Sequence, residues 1–313
     1  MTIRTVSPIN NNSITQEEFN EIYFNRTTPV QLCGLNKTMP IYQKWTFDYF
    51  KEIGKNFTCQ VSDNLNEPAN ITRKLPINEY ISLIQNDEKC PYMIGWSYQK
   101  DFHQLDEDFY LPDFQPLDFI NRLPKHLQFR RRWIFFGKKN INSDLHIDCF
   151  STSAWILMAQ GTKTFRGISP LDRHHINMGS SLFDEQVITC LNEKNVEILE
   201  FKLTPGTILY IPTGWVHQIK NEEDNIMVTG GFTSDKHVFR FFHNFHEAIL
   251  RDSRESEQVY LTYLNRLVAQ PQTLSAEVID SIENDLNFTQ MRVGELHHKI
   301  SVYQKLLGNK VGV

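Results

Sequence analysis

Between about residue 130 and residue 235, the sequence is a series of short β-branched and aromatic runs separated by Gly, Pro, Asn or Asp. The runs are RRRWIFFG, LHIDCF, SAWILMAQG, KTFRGISP, VEILEFKLTPG, TILYIPTGWVHQI and NIMVTGGF. Short strands with turn signals at regular intervals are typical of β-sandwiches and barrels. We therefore predict a sandwich or barrel here, with a long polar loop over about 171–194.

The part of the chain before this β-rich region alternates between strand and helix patterns. TPVQLCGL (28–35) and FTCQVSD (57–63) resemble strands, whereas WTFDYFKEIGK (45–55) and LPINEYISLIQND (75–87) place apolar residues at helical spacing. The second helix pattern has a well-defined apolar face, formed by Ile77, Tyr80, Ile81 and Ile84. An α/β amino-terminal region is predicted. After about residue 236 the pattern is helical, with apolar stripes that must pack on the β-rich region or on a second copy of the chain.

Composition and charge narrow the class of protein. Hydrophobic residues make up 40% of the chain, which is enough for a substantial core, and the net charge of -5 argues against a general nucleic-acid-binding surface. The five cysteines are scattered and form no CxxC motif, which indicates a reducing compartment. No signal-like segment or long apolar run is present. We expect an intracellular protein, cytoplasmic or nuclear, that does not span a membrane.

The stretch SDLHIDCF (143–150) carries the first candidate site. Residues i and i+2 of a strand point to the same face, so His146 and Asp148 would aim an imidazole and a carboxylate at one spot. Such a face is either an exposed polar surface or a binding site. His217, on a later predicted strand, completes a set of two histidines and one carboxylate. This set is the facial triad of non-haem Fe(II) oxygenases, although zinc also accepts these ligands.

A 2-oxoglutarate co-substrate would need a buried cation for its distal carboxylate. Lys163 is the candidate, because it follows a Gly turn and begins the apolar segment Thr164–Phe165. Ser143 lies just before the His-x-Asp motif, and Thr229 lies on the run NIMVTGGF. Both hydroxyls are candidates for charge-assisted hydrogen bonds to the same carboxylate, each contributing about 1.5–3 kcal/mol. On this hypothesis the cofactors are Fe(II) and 2-oxoglutarate, with O2 as the oxidant.

Together, HIDCFSTSAWILMAQGTKTF and TPGTILYIPTGWVHQI resemble the Jumonji C (JmjC) family of 2-oxoglutarate oxygenases, and the lysyl-hydroxylase branch in particular. The resemblance is strongest over about 130–235. It implies that His146, Asp148 and His217 bind iron and that Lys163 binds the distal carboxylate. It further implies that Ser143 stands where the family often has Thr, that Thr229 falls at a co-substrate position, and that Tyr92 falls where an aromatic residue lies near the co-substrate.

The resemblance also implies a fold. We expect a mainly β protein with helices: a double-stranded β-helix, or jelly-roll, core, an α/β amino-terminal region and a carboxy-terminal helical appendage. The expected domains are a flexible segment over 1–28, a JmjC-like catalytic domain over 29–236 and a helical region over 237–313. Because the family often dimerises through such helices, a homodimer is expected, with docking on the same chain as the alternative.

Two departures separate this sequence from the lysyl-hydroxylase branch. Ile156 and Gly231 each stand where that branch has Asn, so its substrate does not transfer to this chain. We expect hydroxylation of a side chain in a protein or peptide, with succinate and CO2 as co-products. The alternatives are N-methyl-lysine or N-methyl-arginine demethylation, hydroxylation of a small molecule or an RNA base, and a catalytically inactive scaffold. The basic run FRRRW (129–133) is better explained by arginines on a strand or its edge than by nucleic-acid binding.

Overall fold

The computed structural model describes residues 3–65, 71–86, 89–112, 118, 131–148, 152–234 and 237. The chain divides into two compact units, and the first consists of Met1–Asp113, Arg130–Asp148 and Ser153–Gly231. In the second unit, the backbone N–H of Thr233 donates to the Asp118 carboxylate at 3.3 Å. The carboxy-terminal helices predicted from the sequence, and the homodimer based on them, lie outside the described residues.

The amino-terminal part combines short strands and helices. In chain order its elements are β1 (Ile3–Thr5), β2 (Ile9–Asn10), α1 (Gln16–Phe19), a π-helical turn (Asn20–Phe24), β3 (Val30–Cys33), α2 (Ile41–Lys44), α3 (Phe47–Ile53), β4 (Thr58–Ser62), β5 (Arg73–Pro76), α4 (Ile77–Gln85) and β6 (Tyr92–Met93). The predicted strands over 28–35 and 57–63 are confirmed as β3 and β4, and the predicted helices as α3 and α4. Helix α4 buries the four residues of its predicted apolar face.

The second half of the described chain is mostly strand. Two 3-10 turns (Tyr98–Lys100 and His103–Asp108) precede β7 (Arg132–Gly137), β8 (Ser153–Gln160), β9 (Lys163–Ile168), a 3-10 turn (Pro170–His175), α5 (Glu185–Glu193), β10 (Ile198–Leu203), β11 (Ile208–Ile211), β12 (Val216–Asn221) and β13 (Asn225–Phe232). These strands correspond to all the predicted β runs except LHIDCF. None of the helices in the described ranges is long and apolar enough to cross a membrane.

The strands form three sheets. One has the order β1-β10-β9-β12, the second β2-β3-β11-β8-β13-β7, and the third β5-β4-β6. β1 runs parallel to β10 and β2 parallel to β3, whereas β9 with β10 and β12, β11 with β3 and β8, β13 with β7, and β4 with β5 and β6 are antiparallel. The described protein is therefore mainly β, with mixed sheets and some helices, as predicted.

The core of this unit lies between the first two sheets. Side chains from both sheets meet there, and Met158, Phe165, Phe201 and Leu209 are fully buried. Burying a side chain of this size stabilises the fold by roughly 1.5–3 kcal/mol. The shared apolar layer therefore holds in place the strands that carry the candidate site.

Three local predictions differ from the structure. The described part of the LHIDCF run, residues 145–148, is not a regular strand, because residues 142 and 146 make only isolated bridges to β12. The predicted loop over 171–194 contains a 3-10 turn and α5. This helix packs Val187, Ile188 and Leu191 against the core, and Asp184 caps its first N–H groups. Within the first 28 residues, β1 adds an edge strand where the sequence indicated no element.

A two-residue connection, Gly161–Thr162, carries the chain from β8 in one sheet to Lys163 in the other. Gly161 has a φ of +74°, and a Cβ there would lie 2.3 Å from the carbonyl oxygen of Asp224. Gly161→Ala should therefore lower the free energy of unfolding by more than the roughly 1–2 kcal/mol that left-handed backbone alone costs. Urea denaturation measures this change. The matched control is Gly179→Ala, whose Cβ meets nothing within 4 Å. Equal stability of the two variants would contradict the prediction.

Candidate metal centre and its cavity

The segment that carries the His-x-Asp motif is attached to β12 by backbone hydrogen bonds. His146 N–H donates to the His217 carbonyl at 2.9 Å, and His217 N–H donates back to the His146 carbonyl at 2.8 Å. Ser143 N–H donates to the Ile219 carbonyl at 2.9 Å. This pairing places the two predicted histidine ligands directly opposite each other, although they lie far apart in the sequence.

The three predicted metal ligands converge. One ligand atom each from His146, Asp148 and His217 lies within 4.8 Å of the other two. The two imidazole rings have their centroids 4.2 Å apart. His217 is buried, at 2% exposure, and its ring stacks on Phe165 with a centroid distance of 5.2 Å. The structure therefore brings the three predicted ligands together, and their binding of a metal stays a prediction.

Hydrogen bonds fix which ring nitrogen each histidine offers. Nδ1 of His146 lies 2.9 Å from the Asp144 carbonyl, and Nδ1 of His217 lies 3.0 Å from the Trp215 carbonyl. A carbonyl oxygen can only accept, so each Nδ1 carries the proton and each Nε2 keeps a free lone pair. Burial, with a further contribution from His146, also lowers the pKa of His217 well below its usual value. Both features suit imidazoles that bind a metal ion.

Asp148 supplies the single carboxylate. Burial raises its pKa, and His146 partly opposes that shift. Asp148 is half-buried, and a carboxylate withdrawn from water is unfavourable unless a cation compensates it. Two neutral imidazoles and one carboxylate, with the remaining positions open, are the donor set of non-haem iron sites, so these residues fit Fe(II).

The triad opens into a cavity of about 110 Å³ between the two main sheets. This space is large enough for several water molecules or one small organic acid. Its apolar wall consists of Phe135, Ala154, Ile156, Ile211, Ile219 and Met227. Its polar lining beyond the triad consists of Tyr92, Ser143, Lys163, Asn221 and Thr229. All four residues predicted to bind the co-substrate therefore line one cavity together with the triad.

Lys163 is buried in this cavity, at 5% exposure. Burial lowers its pKa to about 7. Among the described residues, no carboxylate lies within ion-pair distance of its ammonium group, and no acceptor is hydrogen-bonded to it. A buried lysine without an anion is unfavourable, so this position suits a ligand that brings its own negative charge.

The three hydroxyl residues differ in availability. The Ser143 hydroxyl accepts from Ile219 N–H at 3.0 Å and donates to the Asp144 carbonyl at 3.0 Å. The Thr229 hydroxyl donates to the Trp155 carbonyl at 2.7 Å. Burial raises the pKa of Tyr92, so its hydroxyl keeps its proton, and no partner bonds it among the described residues. Among the described residues of the cavity, the Tyr92 hydroxyl is therefore the one that can donate a hydrogen bond to a ligand without giving up another.

Sequence reasoning missed Asn221. This residue lies directly opposite Lys163 in the register of β12 and β9, and its Nδ2 donates to the Lys138 carbonyl at 3.0 Å. The sequence could have predicted it, because His217, Ile219 and Asn221 lie two residues apart on one strand and therefore face the same side as the metal ligand. Ile156, noted as a departure from the lysyl-hydroxylase branch, also lines the cavity.

Comparison with known proteins agrees with this site. Residues 15–234 match the cupin-like domain family. The chain is 26% identical over 249 residues to a bifunctional arginine demethylase and lysyl-hydroxylase, psr-1, of Caenorhabditis elegans, covering 74% of this chain and 62% of that protein. It is 27% identical over 241 residues to lysine-specific demethylase JMJ21 of Arabidopsis thaliana, covering 71% of this chain and 25% of that protein.

The name of a third relative states its cofactors. The chain is 22% identical over 182 residues to the 2-oxoglutarate and iron-dependent oxygenase JMJD4 of Mus musculus, covering 54% of this chain and 42% of that protein. The matched part spans less than two thirds of the length of each of these relatives. The fold and site define a JmjC-type 2-oxoglutarate and iron oxygenase domain, and the chain belongs to the cupin-like domain family.

Replacing the buried lysine should stabilise the ligand-free protein. Lys163→Met removes a side chain whose pKa falls from 10.5 to about 7 on burial, so it should raise the Tm at pH 7 by several degrees. Thermal unfolding without metal or co-substrate measures this change. Lys202→Met is the matched control, because Lys202 is exposed on the adjacent strand β10.

The gain should also depend on pH. Between the folded pKa of about 7 and the unfolded pKa of 10.5, the unfolded chain binds more protons. Lys163 therefore makes the wild-type protein more stable as the pH rises through this window. The Tm difference between Lys163→Met and wild type should shrink from pH 7 to pH 10. A variant that gains no stability, or whose gain is constant with pH, would contradict the assigned burial.

Proposed function

We propose that this chain is an Fe(II)- and 2-oxoglutarate-dependent oxygenase that hydroxylates a side chain of a protein or peptide, with succinate and CO2 as co-products. The observation that carries the proposal is the convergence of His146, Asp148 and His217 on one cavity that also contains an unpaired, buried lysine. Bound Fe(II) would supply the activation of O2 and the oxidative decarboxylation of 2-oxoglutarate.

The residues of the chain have separate tasks in this proposal. His146 and His217 present Nε2 to the iron, and their backbone carbonyl partners keep the rings oriented. Lys163 pairs with the distal carboxylate of 2-oxoglutarate, and the Tyr92 hydroxyl is placed to donate to it. Ser143 and Thr229 line the same cavity. Each would reach the carboxylate only by turning its hydroxyl away from a backbone carbonyl.

The strand register supports this orientation of the co-substrate. On β9 and β12, Gly167 lies opposite His217, and Lys163 lies opposite Asn221. The metal end and the lysine end of the cavity are thus four residues apart along the strands, or about 13 Å. The lysine side chain and a five-carbon diacid together bridge that distance. The apolar wall between the two ends excludes water from the acid.

Charge balance supports the same assignment. The cavity is lined by one lysine, which is buried, and one aspartate, which is half-buried, and desolvation disfavours the charged form of each. Fe(II) compensates Asp148, and the distal carboxylate of 2-oxoglutarate compensates Lys163. With a dianionic 2-oxoglutarate bound, the formal charges of the residues and ligands cancel, which favours their withdrawal from water.

The protein substrate is inferred from the relatives. The C. elegans relative is named for both arginine demethylation and lysyl hydroxylation, and the relative JMJ21 is named as a lysine-specific demethylase. These names favour N-methyl demethylation as the second candidate function. The two reactions use the same residues of the cavity, since hydroxylation of an N-methyl carbon releases that carbon as formaldehyde.

Several structural inferences accompany this function. We infer that the two main sheets form a double-stranded β-helix, or jelly-roll, with an α/β amino-terminal region. The division at residues 28/29 and 236/237, the helical carboxy-terminal region and a homodimer through its helices belong to the same proposal. An intracellular location, cytoplasmic or nuclear, agrees with the free thiols of Cys33, Cys59, Cys90 and Cys190.

Turnover should depend on the triad. Purified protein with Fe(II), 2-oxoglutarate and peptides from the native cell should form succinate, and His217→Ala should reduce the rate at least roughly a hundredfold, because even groups behind metal ligands contribute 10–100-fold. His103→Ala, an exposed histidine outside the cavity, is the control. No succinate from the wild type, or full activity of His217→Ala, would contradict the proposal.

Mass spectrometry of the same peptides separates the two candidate functions. Hydroxylation adds one oxygen atom to a side chain. Demethylation removes one methylene from a methylated lysine or arginine and releases formaldehyde. Lys163→Met should abolish either product by raising the KM for 2-oxoglutarate. A variant that keeps the wild-type KM for 2-oxoglutarate would rule out Lys163 as its partner.

A further inference from the structure

The iron-ligand segment is held in place without a regular strand. Residues 143–148 touch β12 through isolated backbone pairs, and Leu145 and Ile147 pack into an apolar cluster on the other side of the segment. This packing anchors the segment, and individual hydrogen bonds set the orientation of His146 within it. Side chains that complete those bonds are therefore candidates for controlling the geometry of the metal centre. Gln218, next to the ligand His217, is such a side chain.

Gln218 points away from the cavity and is buried, at 5% exposure. Its Oε1 accepts from the backbone N–H of Leu182 at 2.8 Å and from the Ser181 hydroxyl at 3.0 Å. Its Nε2 donates to the Ser143 carbonyl at 2.9 Å. A backbone N–H can only donate and a carbonyl can only accept, so these two partners fix the orientation of the amide.

The contact with Ser143 continues to the metal ligand. The Ser143 hydroxyl donates to the Asp144 carbonyl, and the same carbonyl accepts from Nδ1 of His146. The Ser143 hydroxyl also accepts from Ile219 N–H on β12. An unbroken set of contacts therefore runs from Gln218 through Ser143 and Asp144 to His146.

The partners of the Gln218 Oε1 atom, Ser181 and Leu182, are themselves firmly held. Leu182 is fully buried, and its carbonyl accepts from Arg166, which in turn forms an ion pair with Glu200 at 2.8 Å. The Ser181–Leu182 turn leads directly into α5, whose N-cap is Asp184. Gln218 thus connects a firmly packed turn to a segment that has little regular structure of its own.

We propose that Gln218 is a positioning residue for the metal centre, which sets the orientation of His146 by holding Ser143 against the Ser181–Leu182 turn. This inference rests on the iron site of the proposed function. Gln218 has no contact with the cavity, so it acts only through its neighbours. Loss of its Nε2 donor should weaken metal binding while leaving the lysine end of the cavity unchanged.

The test is the affinity of the metal-free protein for Mn(II), measured by electron paramagnetic resonance without co-substrate or turnover. Gln218→Glu keeps an acceptor for Ser181 and Leu182 but removes the donor to Ser143. We expect its Kd for Mn(II) to rise 10–100-fold, the usual effect of losing a group behind a metal ligand. Ser181→Ala removes one bond on the opposite side of Gln218 and should change the Kd less than about threefold.

A second pair of variants decides the question if Gln218→Glu does not fold. Ser143→Ala should weaken Mn(II) binding as strongly, and Ser143→Thr, which keeps the hydroxyl, should restore it. Wild-type affinity in Gln218→Glu or in Ser143→Ala would overturn the inference, as would equal losses in Gln218→Glu and Ser181→Ala. If the wild-type protein itself does not bind Mn(II), the proposed iron site fails as well, which distinguishes the two failures.

Discussion

The candidate site depends on one interaction, the backbone pairing of His146 with His217. The two hydrogen bonds of this pair, at 2.9 and 2.8 Å, join segments that are far apart in the sequence and place two imidazoles on the same side. Each such bond contributes only about 0.5–1.5 kcal/mol to stability. These two bonds alone would not hold the segments together. The pairing is stabilised because β12 is itself held by its hydrogen bonds to β9 and by the apolar layer between the sheets.

The electrostatics of the cavity follow from the same packing. The sheets bury His217 and Lys163 and leave Asp148 half-buried, and desolvation shifts the pKa of each in the direction that favours its neutral form. For the histidine, this shift preserves the lone pair that a metal needs. For the carboxylate and the lysine, desolvation lowers the free energy of unfolding of the ligand-free protein, and ligands of opposite charge would offset this loss. The site is thus less stable without ligands, in a way that favours binding of a metal ion and a carboxylate.

The candidate ligand set was predicted because a third histidine, His217, accompanies the His-x-Asp motif, which alone is equally typical of a polar strand face. Lys163 was the less specific prediction, because a lysine after a Gly turn usually lies on the surface and only the apolar segment that it begins indicated burial. The four-residue apolar face of α4 was clear, since helical spacing is visible within a single segment.

What remained hidden from the sequence depends on partners far along the chain. The hydrogen-bond partners of the Ser143 and Thr229 hydroxyls are backbone carbonyls, which no residue pattern reveals. The role of Gln218 requires three segments to meet. Helix α5 was not predicted because the segment around it is polar, although Val187, Ile188 and Leu191 have helical spacing and pack against the core. The LHIDCF run was predicted as a regular strand because its composition is strand-like, whereas its described residues make an isolated bridge only.

The central claim is that His146, Asp148 and His217 hold one iron ion. Anaerobic titration of the metal-free protein with Fe(II), followed by calorimetry, tests it most directly. The account predicts one Fe(II) per chain, tighter binding when 2-oxoglutarate is present, and loss of the binding in Asp148→Ala. An unchanged binding isotherm in Asp148→Ala, or no binding by the wild-type protein, would contradict it.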